Sequence, residues 1–130
     1  MKCDLDDRLL AYSVEVIRLV EELPNSRTAN HVGGQVLRSG TSPYFNHGEA
    51  EAAESSKDFM HKMGVCLKEL RETRRALKLV QKVPLVDPPS RVDPLLSETE
   101  ELIRIFFTSI RTARKNAGVS EPPGDSYGTS

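Results

Sequence analysis

Apolar residues recur at steps of three and four in four successive segments, and no segment alternates convincingly with period two. That pattern predicts amphipathic helices. The first predicted helix runs from about Asp4 to Leu23. Leu5, Leu9, Tyr12, Val16, Leu19, Val20 and Leu23 fall on one half of its wheel, flanked by Leu10 and Ile17. Asp4, Asp6 and Asp7 crowd its first turn, where carboxylates favour the positive end of the helix dipole. Pro24-Asn25-Ser26 ends it. The second predicted helix spans Thr28 to Glu54, with Val32, Val36, Leu37 and Gly40 as its apolar or small positions. Pro43 falls inside it. A mid-helix proline removes an amide donor and crowds the carbonyl four residues earlier, here that of Ser39, so a continuous but kinked helix is expected.

The third predicted helix spans Ser55 to Val83, with Phe59, Met63, Cys66, Leu70, Thr73, Leu77 and Val80 on one face. Pro84 stops it, and Leu85 to Asp93, carrying Pro88-Pro89, reads as a rigid, extended loop. The fourth predicted helix spans Pro94 to Ala117. Its Leu95, Thr99, Leu102, Ile103, Phe106, Ile110 and Ala113 fill an arc of about 100°, the width of a core stripe. The expected fold is therefore all-α: an antiparallel up-down-up-down four-helix bundle with a proline-kinked second helix. Residues 1–117 make the bundle. Residues 118–130, rich in Pro, Gly and Ser, make a flexible C-terminal tail.

Size and composition fit this. One domain accounts for 130 residues and 14.5 kDa, a length at which roughly two thirds of the chain's surface is buried without a disulfide or metal staple. No apolar run approaches the ~20 residues of a membrane-spanning helix. The opening MKCDLDDRLL carries three acids and is not expected to be a signal peptide. Cys3 and Cys66 form no disulfide framework, so a reducing cytoplasm is the expected setting.

Charge changes the picture more than composition does. The net charge is −1, yet residues 1–60 carry −4, residues 61–82 carry +5 and residues 83–130 carry −2. Lys68, Arg71, Arg75, Lys78 and Lys82 lie within an arc of about 80° on the third helix, away from its apolar face. The plain reading is a solvated face balanced by Glu69 and Glu72. The functional reading is a strip for phosphates or an acidic partner. No aromatic residue interleaves these cations, which argues against stacking on single-stranded bases.

Candidate chemistry is sparse. His47 and Glu51 share a helix face and are able to ligate a metal, although a surface His–Glu pair explains them more simply. His47 with Glu49 or Glu51 is the sole candidate for catalysis. Cys66 reads as a small buried residue and Cys3 as part of a frayed terminus. Gly33-Gly34 lacks the Lys-Ser/Thr of a phosphate loop, so Gly33, Gly34 and Gly40 read as residues for close helix packing. Ile105, Phe107 and Leu79 lie outside the core stripes and are candidate subunit contacts. Neither an enzyme, a cofactor nor a small-molecule substrate is expected.

The stretch QVLRSGTSPYFNHGEAE from Gln35, followed by SSKDFMHK from Ser55 and LKELRET from Leu67, resembles the bacterial four-helix-bundle proteins encoded within 23S rRNA intervening sequences. The sharpest part is Arg38-Ser-Gly-Thr-Ser with Asn46 and Glu49-Ala50. The resemblance covers roughly residues 5 to 117. It implies a four-helix bundle that assembles as a homopentamer, without enzyme activity. It also implies a nucleic acid or a partner protein as alternative partners, since a related, strongly basic bundle binds nucleic acid. Carried onto this chain, its motif is Arg38, Ser39, Ser42, Asn46 and Glu49. These residues form a polar strip beside Pro43, read as a hydrogen-bonded structural device, with a shared partner site as the alternative.

Overall fold

The computed structural model describes residues 4–118. They form α1 (Leu5–Glu21), α2 (Arg27–Glu51), α3 (Ser56–Lys82), a single 3-10 turn (Pro89–Val92) and α4 (Asp93–Asn116), with no strand among the described residues. Cys3 and the expected tail beyond Gly118 lie outside them.

Local chemistry sets the ends. The Ser26 hydroxyl accepts from the Ala29 amide at 3.1 Å and starts α2; the Ser55 hydroxyl accepts from the Asp58 amide at 3.0 Å and starts α3. Each fills one of the amide donors that a helix start leaves without a partner. The second cap also explains why α2 stops at Glu51, three residues before the expected Glu54. Capping α3 at Ser55 requires extended backbone there (φ −149°, ψ 159°), and the chain turns over residues 52–54 to reach it. Within α2 the helix is unbroken through Pro43. The proline-rich connection is less extended than expected. Pro89–Val92 wind into the 3-10 turn, and Val86 and Val92 are buried as plugs against the core.

The core is the sum of the four apolar faces. Leu9, Tyr12, Val16 and Leu19 of α1, Val32 and Val36 of α2, Met63, Cys66, Leu70 and Leu77 of α3, and Leu102, Phe106 and Ile110 of α4 are all buried in one cluster. The edge of the core differs in places from the expected faces. Leu37 is exposed, whereas Ile105 and Phe107 pack partly against the core. A stripe on a 3.6-residue helix drifts around the axis, so residues at its margin go either way depending on where the neighbouring helix sits. Buried polar groups are satisfied locally. The Thr99 hydroxyl donates to the Leu95 carbonyl (2.7 Å), leaving its oxygen to accept from the Tyr12 hydroxyl (2.6 Å).

Glycines set how closely α1 and α2 approach. A Cβ at Gly40 would lie 2.8 and 2.9 Å from the two methyls of buried Val16, and one at Gly33 would lie 2.9 Å from Leu23 Cδ1. Gly34 is different: a Cβ there would meet nothing within 4 Å, so it has no packing role. Across the α1–α4 seam the helices touch at few points. One ion pair spans it, Arg8 to Glu98 (2.7 and 3.0 Å), and a second, Arg91 of the 3-10 turn to Glu22 at the end of α1 (2.8, 2.9 and 3.1 Å), lies beside it.

Candidate functional site

The motif strip beside Pro43 faces α3. Ser39 is fully buried; its hydroxyl donates to the Gln35 carbonyl (2.8 Å), and its oxygen lies 2.8 Å from Thr73 Oγ1 on α3. Asn46 Nδ2 donates to the Ser42 hydroxyl oxygen (2.8 Å) and carbonyl (3.1 Å) one turn back. The Cys66 thiol donates to the Pro43 carbonyl at 3.5 Å. At the ends of the strip, Arg38 reaches Glu69 (3.1 Å) and Glu72, and Glu49 accepts from Lys62 Nζ at 2.5 Å. The contacts at 39–73, 43–66 and 49–62 climb α2 while descending α3. Charge on both partners holds the Arg38 and Lys62 cations firmly, raising each pKa above its ordinary value through the hydrogen-bonded carboxylates.

This seam rewrites the charge balance of α3. Glu69 and Glu72 were expected to neutralise the basic strip from the same helix. They turn toward Arg38 instead, and Glu69 is buried at 7% exposure. A weaker contact of 3.8 Å links Glu69 to Lys68. Of the five cations, Lys68, Arg75, Lys78 and Lys82 are exposed, whereas Arg71 is half-buried and so does not complete the expected strip. Arg75, Lys78 and Lys82 line one open groove of about 580 Å³ with Val32 and Leu79. Arg74, outside the expected strip, joins them there, as does Glu72. Arg74 lies off the arc of the other cations, and only the position of α2 brings it to the same groove.

His47 departs most from expectation. It is buried at 5% exposure, with Nδ1 3.0 Å from Asp6 Oδ1 and Nε2 3.9 Å from Glu51 Oε2. Its ring meets Phe106 edge-on at 6.1 Å between centroids. The surface His–Glu reading is therefore corrected. The spacing of 47 and 51 was legible, but Asp6 is 41 residues away and comes near only through the packing of α1 on α2. Cys66 is buried as expected, and burial pushes its thiol up to about 12. It is thus a poor nucleophile at neutral pH.

Apolar residues also reach the surface. Leu10, Val14 and Ile17 are 46%, 37% and 43% exposed, and steps of four and three place them on one side of α1. Phe45, Leu79 and Val83 are exposed elsewhere. No described helix is long and apolar enough to cross a membrane.

An all-helical bundle with a polar seam inside and apolar and basic strips outside defines the class of protein. More particularly, the chain belongs to the 23S rRNA-intervening sequence protein family, whose pattern matches residues 6–108. It is similar to a solved structure from Bacteroides thetaiotaomicron VPI-5482, described as a protein of unknown function from the S23 ribosomal protein family. The two are 29% identical with a TM-score of 0.77, over 83% of this chain and 99% of that one. No curated protein matches the chain. Neither the family nor the solved relative indicates an enzymatic activity.

Proposed function

We propose that the chain is a non-enzymatic interaction protein that works as a homo-oligomer, a pentamer by its family likeness, in the cytoplasm. The observation that carries this is the exposed strip of Leu10, Val14 and Ile17. Three branched aliphatic side chains in register on one helix lower their free energy by leaving water, at roughly 25 cal/mol per Å² of apolar surface buried. A single bundle leaves them wet. Light scattering on the purified protein tests it. The expected mass is about five times the 14.5 kDa of the chain, falling to the chain mass in Leu10→Glu/Ile17→Glu with helicity retained. A particle of one chain at high protein concentration overturns the proposal.

A second reading is favoured by the α2–α3 groove: a nucleic-acid-binding accessory role. Arg74, Arg75, Lys78 and Lys82 gather there on a chain of net charge −1. Repeating the groove around a symmetric ring would multiply its field on a polyanion. Binding of a structured RNA or a DNA duplex should fall steeply with salt and vanish on Arg75→Glu/Lys78→Glu. Equal RNA and DNA mobility with and without micromolar protein at low salt overturns this reading.

A further inference from the structure

The last turns of α2 and the first turn of α1 bring together one imidazole and two carboxylates. His47 and Glu51 are one helical turn apart on α2, and Asp6 comes across from α1. A donor atom from each lies within 4.8 Å of the others. His47 is held from three directions: by burial, by the edge-on contact with Phe106, and by Asp6 at 3.0 Å. An ionised carboxylate only accepts hydrogen bonds, so in the neutral ring the contact with Asp6 places the proton on Nδ1 and leaves Nε2 with its lone pair. That lone pair faces Glu51 Oε2 across 3.9 Å, too far for a hydrogen bond. It is close to the separation that a bridged ion spans. Two metal–ligand bonds of about 2.0–2.2 Å reach up to roughly 4.2 Å. Glu51 is exposed and able to swing toward the ring, closing the angle.

We propose that Asp6, His47 and Glu51 form a binding site for a first-row divalent cation, with Zn²⁺ as the matching ion. His47 Nε2 and the Glu51 carboxylate hold the ion directly, and water completes its coordination. Asp6 is a positioning residue: it keeps the proton on Nδ1 and fixes the plane of the ring, as a carboxylate behind a metal-bound histidine does. A mixed nitrogen and oxygen donor set suits Zn²⁺ and Ni²⁺, whereas Ca²⁺, Mg²⁺ and Mn²⁺ favour all-oxygen sites. The two carboxylates also supply the charge that a divalent ion neutralises. The occupied site would tie the first turn of α1 to the last turn of α2.

Calorimetric titration of the full chain with ZnCl₂ tests this, with Cys3→Ser as the background so that its thiol cannot contribute. One Zn²⁺ per chain is expected, with a rise of about 5 °C or more in Tm at saturation. Glu51→Gln, at an exposed position that leaves folding intact, should weaken binding at least tenfold. Asp6→Asn should weaken it by roughly 10- to 100-fold and change the visible spectrum of bound Co²⁺, which a residue serving only to pack α1 would not do. His31→Gln/His61→Gln should bind as the parent does. Absence of saturable binding at 100 µM Zn²⁺, or equal binding by Glu51→Gln, overturns the site. So does loss of binding in the His31→Gln/His61→Gln chain.

Discussion

Two glycines one turn and a half apart on α2 do opposite things, and only the neighbouring helix tells them apart. Gly40 sits against both methyls of Val16, whose Cβ is itself 3.4 Å from the added atom, so the side chain has nowhere to retreat. Gly40→Ala therefore overpacks the α1–α2 contact. Overpacking costs about 1–3 kcal/mol, offset in part by the ~1 kcal/mol that Ala gains over Gly in a helix. The expected net effect is a loss of up to about 2 kcal/mol in urea unfolding. Gly34 opens on solvent, so Gly34→Ala should raise stability by about 0.5–1 kcal/mol in the same assay. The sequence marks both as helical glycines, but a close approach belongs to a pair of helices and leaves no mark on either one. His47 teaches the same lesson, since the ring's burial depends on residues 41 and 59 positions distant.

At the scale of the helix, the polar motif of α2 is the complement of a polar strip on α3. Arg38 answers Glu69 and Glu72, Ser39 answers Thr73, and Glu49 answers Lys62. Such groups fix one alignment of α2 on α3, because sliding by a turn would strand Glu69 without its cation. Arg38→Ala leaves that buried carboxylate with only Lys68 at 3.8 Å. Water screens the exposed guanidinium, so the expected cost is about 1 kcal/mol. Glu69→Gln added to Arg38→Ala should recover most of it, a coupling that a double-mutant cycle in urea measures. Four helices, their order and most of their buried faces were legible from periodicity alone. The ends were less so. Ser26 and Ser55 are plain cap residues, yet periodicity places the start of the third helix at Ser55, one position early, and gives no sign of the break after Glu51. The 3-10 turn over Pro89–Val92 leaves no mark in the sequence, because prolines favour extended backbone as readily as the start of a helix.

For the molecule as a whole, high pH acts on the core directly. Burial raises the Cys66 thiol from 9.0 to about 12, and burial also raises the Tyr12 phenol, opposed by its hydrogen bonds to Thr99 and Thr73. Both groups lose protons more easily in the unfolded chain, so the unfolded state binds fewer protons than the native one once the pH passes 9. Stability from this source is complete below that pH and falls as the pH rises toward 12. The urea midpoint should be flat from pH 7 to 9 and decline above it, with a shallower decline in Cys66→Ala. Equal slopes in the two proteins would show that Cys66 contributes nothing. The family pattern spans 6–108, yet the outer strips that the proposed function uses differ in how far they could be read. Leu10 and Ile17 are legible only as flanks of the apolar half of α1, Val14 is not marked at all, and the groove holding Arg74 exists only once α2 is laid beside α3.

The seam between the first and last helices has its own consequence. α1 and α4 touch at few points, and beside the buried Tyr12–Thr99 hydrogen bond the Arg8–Glu98 pair, with Arg91 of the 3-10 turn on Glu22, acts as a latch on that edge. Ions in solution weaken latches of this kind far more than they weaken a greasy interior. Raising the ionic strength should therefore loosen this edge first, read as a larger rise in amide exchange in α1 and α4 than across the α2–α3 contact.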